Sequence, residues 1–322
     1  MQKSLQVTHH TTRETTEGVC GPVARLPPAD RPLGLPAASE RLLSNRLELD
    51  RLDAQAASDL TELLETPQLV GGVRMSATPE RLRLLSANIQ AGSSTRAYSE
   101  YVTRSWSHVF HHGKQLNLDN LAGIAEPYDI VGLQESDPGS LRSGFTNQAD
   151  YLAERAGFPF WTHQPNRRIS KIAGSGNAIL SRHEPTELLD YSLPGRIAGR
   201  GVLLATFGKG RSKWQLAVTH LSLGQKSREQ QIGFLAELLS ASKRLVLMGD
   251  FNCDAEAPEM RALYRQTSLR PPPRKLCTFP SWAPQRCLDH VLVGGFDVVE
   301  YAAVQAAGSD HMAVSVDLAR RT

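Results

Sequence analysis

An α/β (α+β) fold of two packed β-sheets flanked by helices is predicted by three features of this 322-residue sequence. Short apolar runs of strand length recur from residue 82 onward. Amphipathic helical segments lie between several of them. The apolar runs repeatedly end in Asn, Glu, His or Asp. A strand and a helix each have an apolar face to bury, so this alternation resolves into layers.

Residues 1–37 are rich in Thr, Pro and Gly and lack apolar periodicity, which predicts disorder. Over 39–65, Leu43, Leu47, Leu52, Leu60, Leu63 and Leu64 recur near helical spacing. They predict one or two amphipathic helices that pack on the main body or dock a partner. Gly71 and Gly72 mark a linker, so 1–80 reads as an extension and 81–322 as the main domain. Strands are predicted at 82–89, 130–134, 178–180, 201–207, 214–220, 245–248, 288–293 and 313–318. Helices are predicted at 97–110, 118–125, 148–155 and 227–239, the last with Ile232, Leu235, Leu238 and Leu239 on one face.

Charge is unevenly spread. The chain carries +3 overall, yet residues 1–80 hold 8 Lys/Arg against 11 Asp/Glu, leaving 28 against 22 beyond. That excess suits a phosphate-bearing substrate but is not the basic stripe of a dedicated DNA-binding protein. Cys20, Cys253, Cys277 and Cys287 show no CxxC spacing. They argue against a zinc knuckle and against a disulfide-stapled secreted domain. No apolar run approaches ~18 residues, so no transmembrane segment is expected. The first ten residues lack the apolar centre of a signal peptide. A cytoplasmic protein with no obligate protein partner is the expectation.

One stretch organises the rest: Arg244-Leu-Val-Leu-Met-Gly-Asp-Phe-Asn252. Leu245 to Met248 reads as a buried strand, and Gly249 ends it. Residues two apart in an extended segment point the same way, so Asp250 and Asn252 face one site. A buried carboxylate is costly alone and needs a metal, a reacting group or a salt bridge. Taken by itself, the pattern is equally a strand running into an Asx-turn.

Other strand ends add Asn88, Glu135, Asn177, His220, the pair Asp289-His290 and the pair Asp310-His311. Oxygen donors with few nitrogens favour a hard cation, Mg²⁺ or Mn²⁺, over zinc. Glu135 and Asp310 are candidate metal ligands, with Asn88 orienting a bound water. Asp250 beside a histidine is a candidate base for an attacking water. His311 paired with Asp289 is a candidate N–H donor to a phosphoryl oxygen. Plain structural readings exist for each, such as a surface salt bridge for Glu135 and a core histidine for His220. Together they suit in-line attack of water on phosphorus.

The ordered set Ser-Ala-Asn88, Leu-Gln-Glu135, Gly-Asn177-Ala-Ile-Leu-Ser-Arg, Val-Thr-His220-Leu, Met-Gly-Asp250-Phe-Asn252, Leu-Asp289-His290-Val and Ser309-Asp310-His311 resembles the endonuclease/exonuclease/phosphatase superfamily. That group includes DNase I-like nucleases, AP endonucleases, neutral sphingomyelinases, inositol-polyphosphate 5-phosphatases and deadenylases. The resemblance spans about residues 82–320. It implies a four-layer sandwich of two mostly antiparallel sheets with helices outside. It implies a divalent metal held mainly by Glu135, with Asn88 and Asp310 nearby. By the same resemblance Asp250 aligns or deprotonates the water, Asn252 binds phosphate, and His311 contacts the scissile phosphate, oriented by Asp289. His220 stands where nuclease-like and sphingomyelinase-like members carry histidine and AP endonucleases carry tyrosine, which counts against AP-site specificity.

Gln90 stands where AP endonucleases have a carboxylate. Between Asn88 and Glu135 lie Tyr98, Tyr101, Trp106 and Phe110, either the buried face of a helix or a rim for bases or lipid. Asn177 and Arg200 are candidate substrate-binding residues, as are Arg167, Arg168 and Lys171, and a guanidinium suits a phosphate oxygen. The expected activity is metal-dependent hydrolysis of phosphate esters, chiefly a phosphodiester. Nucleic acid, a sphingomyelin-like lipid head group and a small molecule are alternative substrates, and a binding module with an inactive site is the non-enzyme alternative.

Overall fold

Leu245, Val246, Leu247 and Met248 are all buried, and successive side chains of a strand point to opposite faces. Both faces of this strand therefore need cover, and the sequence supplies a second sheet on one side and helices on the other. A computed structural model describes residues 3–4, 8–10, 80–89, 110–139, 146–169, 173–195, 199–306 and 308–321. The strands are β1 (Lys3–Ser4), β2 (Thr8–His10), β3 (Arg81–Asn88), β4 (Ile130–Ser136), β5 (Phe160–Ile169), β6 (Ala173–Ser181), β7 (Glu187–Ser192), β8 (Gly201–Phe207), β9 (Trp214–His220), β10 (Leu245–Asp250), β11 (Asp289–Gly294), β12 (Phe296–Val304) and β13 (Ala313–Arg320). The helices are α1 (Phe110–Ala125), α2 (Gln148–Ala156), α3 (Gln225–Leu239) and α4 (Met260–Gln266).

One sheet runs β1-β5-β6-β4-β3-β13-β12 and the other β11-β10-β9-β8-β7-β2. Among the described residues, seven of the eleven pairings are antiparallel, as expected. Leu84, Ile130 and Val316 meet Leu216, Val246 and Met248 between the sheets. Outside the first sheet, Leu85, Val131 and Leu180 pack on Leu121 of α1 and Leu152 of α2. Outside the second, Leu204, Leu245 and Leu247 pack on Leu235 of α3 and Leu263 of α4. Three apolar interfaces make the four layers.

Two parallel pairings place the polar strand ends. β3 pairs with β4, and β9 with β10. Parallel neighbours need a crossover, which α1 and α3 provide. Each crossover delivers two strand C-termini to the same end of its sheet.

Three expectations need correction. Within residues 1–37, expected to be disordered, Lys3–Ser4 pairs with β5 and Thr8–His10 with β7, while the rest of the stretch lies outside the described residues. Those two strands would otherwise be sheet edges, whose unpaired backbone groups recruit extended chain. The helix expected over 97–110 lies outside the described residues up to 109. Phe110 itself opens α1, which is longer than the 118–125 predicted. Cys277 and Cys287 form a disulfide, although no pairing was expected from spacing. An antiparallel bridge between Phe279 and Arg286 brings them opposite each other, a register that spacing alone does not reveal. The amphipathic stretch 39–65, Tyr98, Tyr101, Trp106, Gln90 and Lys171 lie outside the described residues. Among the described residues, no helix is long and apolar enough to cross a membrane.

Candidate functional site

A row of three polar residues crosses one end of the second sheet. Asp250 is in register with His220 on the parallel β9 and with Asp289 on the antiparallel β11. In-register neighbours project to the same face about 5 Å apart, so strand pairing alone gathers these side chains. Gly249, one residue earlier, makes the approach close. It has φ +148°, and a Cβ there would lie 1.9 Å from the Thr219 carbonyl oxygen. Gly249→Ala is expected to cost about 3 kcal/mol or more, combining backbone strain with overpacking. Urea denaturation checks this, and an unchanged midpoint would contradict it.

The first sheet supplies the facing wall. Asn88 ends β3, and its Nδ2 donates to Asp250 Oδ2 at 3.2 Å and to Glu135 Oε1 at 3.5 Å. Glu135 has φ +57° and Asn252 φ +54°, the non-glycine residues at positive φ among those described. Such conformations are costly and gather at functional sites. Asn252 is held by its own turn: its N–H donates to Asp250 Oδ1 at 2.9 Å, and its Nδ2 to the Leu221 carbonyl at 2.9 Å.

His311 closes the third side. Its Nδ1 lies 2.7 Å from Asp289 Oδ2, and its backbone N–H donates to Ser309 Oγ at 3.0 Å. Ser309 Oγ donates in turn to the Asn88 carbonyl at 2.6 Å, which locks the Ser309-Asp310-His311 turn to the end of β3. Asp310 stands at the same mouth, half-buried. Its carboxyl is raised by burial, with the Glu135 charge adding to the shift and His311 opposing it.

Electrostatics divide the roles. Burial first, then the Asp289 charge, push Asp250 up to about 7, so it exchanges a proton near neutral pH. Burial alone would pull His311 down, but its hydrogen bond to Asp289 and the charges of Asp289, Asp250 and Asp310 carry it up to about 9. His220 lies 3.4 Å from Asp250 Oδ2 and 4.0 Å from Glu135 Oε1, within ion-pair reach. Burial and then the Arg200 cation nevertheless hold it well below its ordinary range. We read these contacts as a neutral ring beside carboxylates.

Arg200 is thus near His220, at the rim. Asn177 lies on β6. It is fully buried, and its Nδ2 donates to Gln164 Oε1 and to the Gly201 carbonyl, both at 2.9 Å. Thr219 Oγ1 donates to the same carbonyl at 3.1 Å. Asn177 therefore fixes the start of β8, beside Arg200. Arg167 and Arg168 lie on β5.

The profile of the Endonuclease/Exonuclease/phosphatase family matches residues 85–311. The chain belongs to that family. Members are generally hydrolases of phosphoesters and typically depend on a divalent metal. Among solved structures, an endonuclease/exonuclease/phosphatase from Beutenbergia cavernae aligns with a TM-score of 0.59 at 20% identity, covering 75% of this chain and 72% of that one. A family protein from Bacteroides thetaiotaomicron aligns at 0.58 and 19%, covering 76% and 99%. A mannosyl-6-phosphatase from the same species aligns at 0.55 and 20%, covering 74% and 99%. At such identities the likeness shows the fold. No curated protein matches the chain.

The residues present fit a cation. Asp250, Asp289 and His311 place ligand atoms within 4.8 Å of one another, a candidate metal site. Asp289 Oδ1 is buried without a hydrogen-bond partner, a costly state that a cation or its water relieves. Carboxylate oxygens are the hard donors that suit Mg²⁺ or Mn²⁺. Sequence reasoning grouped Glu135, Asp310 and Asn88 for the metal and Asp250, Asp289 and His311 for catalysis; the fold brings both groups to one mouth. It missed Thr278, fully buried, whose Oγ1 donates to Asp289 Oδ2 at 2.5 Å. Nothing in a single sequence distinguishes that threonine from a loop hydroxyl.

Proposed function

We propose that this family member is a metal-dependent phosphodiesterase, with Mg²⁺ or Mn²⁺ held by Glu135 and Asp310 opposite Asp250 and with Asn88 orienting a bound water. The observation that carries the reading is the in-register row His220–Asp250–Asp289, completed by His311 and faced by Glu135. A hard cation bound there supplies electrostatic stabilisation of charge on the phosphoryl oxygens and acidifies bound water. Asp250, ionised above about pH 7, accepts the proton of the attacking water. Neutral His220 beside it, 3.4 Å from Asp250 Oδ2, fixes that carboxylate. His311, protonated below about pH 9, donates N–H to the developing phosphoryl charge. Asp289 holds the ring in that orientation, and Arg200 offers a guanidinium at the rim.

Charge supports a diester over a monoester. Glu135, Asp250, Asp289 and Asp310 surround the mouth against the cations of Arg200 and His311. A singly charged diester meets less repulsion there than a monoester dianion. Hydrolysis of bis(p-nitrophenyl) phosphate beside p-nitrophenyl phosphate, with Mg²⁺, Mn²⁺ or EDTA, tests this. Metal-dependent diester cleavage is expected, and preference for the monoester would reverse the assignment.

An amphipathic diester such as a phospholipid is a second reading, favoured by two exposed apolar side chains at the rim. Leu223 follows His220 by three residues and is 75% exposed; Trp282 is 49% exposed and adjoins Ser281, whose N–H donates to the Asp310 carbonyl. Cleavage of phospholipid vesicles against plasmid DNA separates lipid from nucleic acid.

Affinity for Mg²⁺ is expected to rise with pH through about 7, because Asp250 must lose its proton to favour the cation. Calorimetry at about pH 6 and about pH 8 reads this as a rising association constant that Asp250→Asn flattens. A pH-independent affinity in the native protein would remove Asp250 from the metal's surroundings.

A further inference from the structure

The segment from Cys277 to Cys287 is a clasp around the catalytic histidine. Its arms are bonded to each other: Thr278 N–H donates to the Arg286 carbonyl at 2.9 Å, and Arg286 N–H to the Phe279 carbonyl at 2.9 Å. Its inner side grips the Ser309–Met312 turn. Ser281 N–H donates to the Asp310 carbonyl at 2.7 Å, Ser281 Oγ to the Ser309 carbonyl at 2.8 Å, and Met312 N–H to the Thr278 carbonyl at 2.8 Å. The Phe279 ring lies 5.0 Å from the His311 ring. Thr278 Oγ1 donates to Asp289 Oδ2, the oxygen that also meets His311 Nδ1. The Cys277–Cys287 disulfide closes the base. Cys277 adjoins Thr278, and Cys287 lies two residues before Asp289, so the bond joins the roots of that hydrogen bond.

We propose that Cys277–Cys287 is a thiol-exchange site whose redox state sets the orientation of His311. Two sulfurs held at bonding distance retreat to van der Waals separation when the bond is cut, a movement of roughly 1 Å at the clasp's base. A displacement of that size is enough to cost on the order of 100-fold in rate when it reaches a reacting group. Thr278 sits directly on the displaced root, and Asp289 and His311 follow it.

The chemistry balances with a dithiol as reductant. One thiolate of the dithiol attacks the Cys277 sulfur, which is half-buried, and Cys287 leaves as thiolate. The second thiol of the reductant then displaces Cys277 from the mixed disulfide. The reductant becomes a cyclic disulfide, two electrons pass to the protein, and two protons end on the cysteines. Cys287 lines a small cavity of about 40 Å³ together with Arg274, Lys275, His290, Asp254 and Glu256, which gives the departing sulfur an open, polar side. Cys253 stays out of the exchange: burial pushes its thiol up to about 12.

The structural half stands on geometry; its effect on rate rests on the phosphodiesterase reading. The experiment compares the full-length protein oxidised, reduced by dithiothreitol and reoxidised. Alkylation and mass measurement score Cys277 and Cys287. Proton NMR follows the low-field His311 Nδ1–H resonance, identified by its loss in His311→Gln. Turnover of bis(p-nitrophenyl) phosphate with Mg²⁺ reads the rate. Reduction is expected to broaden or shift the resonance and to lower kcat about 10-fold or more, both reversibly, with unchanged far-UV circular dichroism. Cys277→Ser with Cys287→Ser is expected to match the reduced protein and to ignore dithiothreitol. If that variant does not fold, the reversible cycle of the native protein decides alone. Full reduction with an unchanged resonance and rate overturns the proposal, as does a protein that forms no such bond under oxidising conditions. If no state turns over the diester, the hydrolase reading is what fails, and the His311 resonance alone supports or overturns the clasp.

Discussion

Asp250→Asn is expected to lower kcat by about 10³-fold, the scale of a lost, well-placed base, while the protein remains folded. The two effects separate because of where the charge sits. Asp250 is buried, and its carboxyl is pushed up to about 7 by burial and by the Asp289 charge. Removing that charge relieves repulsion among Asp250, Asp289 and Glu135, so metal-free stability is expected to hold or rise. The new amide keeps the Oδ1 acceptor used by the Asn252 N–H, but it faces the Asn88 amide with a second N–H₂ group at the other position. A modest local rearrangement follows. Steady-state kinetics and urea denaturation on the same preparation check the pair of outcomes. A stable variant with kcat close to that of the native protein would exclude Asp250 as the base.

The strands that carry the site were the legible ones. β3, β4, β9, β10, β11 and β13 are buried on both faces or nearly so, and a strand sandwiched between layers must be apolar throughout. Their continuous runs made both the strands and their polar ends visible. β5 escaped because it contains Pro165 and turns polar at a bulge between Pro165 and Arg167, where a proline is tolerated. β7 and β12 escaped because few of their residues are buried, so neither presents a continuous apolar run. α4 is only seven residues long, too short for helical periodicity to register.

Within the site, residue types were legible and connections were not. Asp250, His220 and Asp289 declare themselves as polar residues at strand ends, yet their side-by-side placement depends on register, which no single strand encodes. The same limit hid Thr278 and the Cys277–Cys287 pairing, both products of a clasp whose arms meet through backbone bonds. Asn177 shows the same limit from the other side. Its Nδ2 is bonded to Gln164 and to the Gly201 carbonyl, while its buried Oδ1 has no hydrogen-bond partner among the described residues. A sequence shows that an amide is present, not what it is already bonded to.

The largest pH effect belongs to His311. With Asp250 titrating near 7 and His311 near 9, kcat/KM is expected to peak between these values. The acid limb marks protonation of Asp250, and a bound cation moves it lower. The alkaline limb marks loss of the His311 proton that faces the phosphoryl oxygen. His311→Gln is expected to lower kcat/KM by about 10²–10³-fold and to erase the alkaline limb while keeping the acid one. Asp289→Asn keeps the ring but removes its partner, so the alkaline limb is expected to move down toward the ordinary histidine value. Stability follows the same proton with a definite sign. His311 is raised in the folded state, so its contribution is complete below its ordinary value of 6.5 and is lost as pH rises through about 9. Asp250 is raised from 3.8 to about 7, so it too withdraws stability from the metal-free protein as pH climbs through that window. Thermal stability in EDTA is therefore expected to fall from neutral to alkaline pH, a slope absent in His311→Gln, whereas below neutral pH the lowered His220 and His290 oppose Asp250. An alkaline limb that persists in His311→Gln would assign that proton to another group and leave His311 a structural ring.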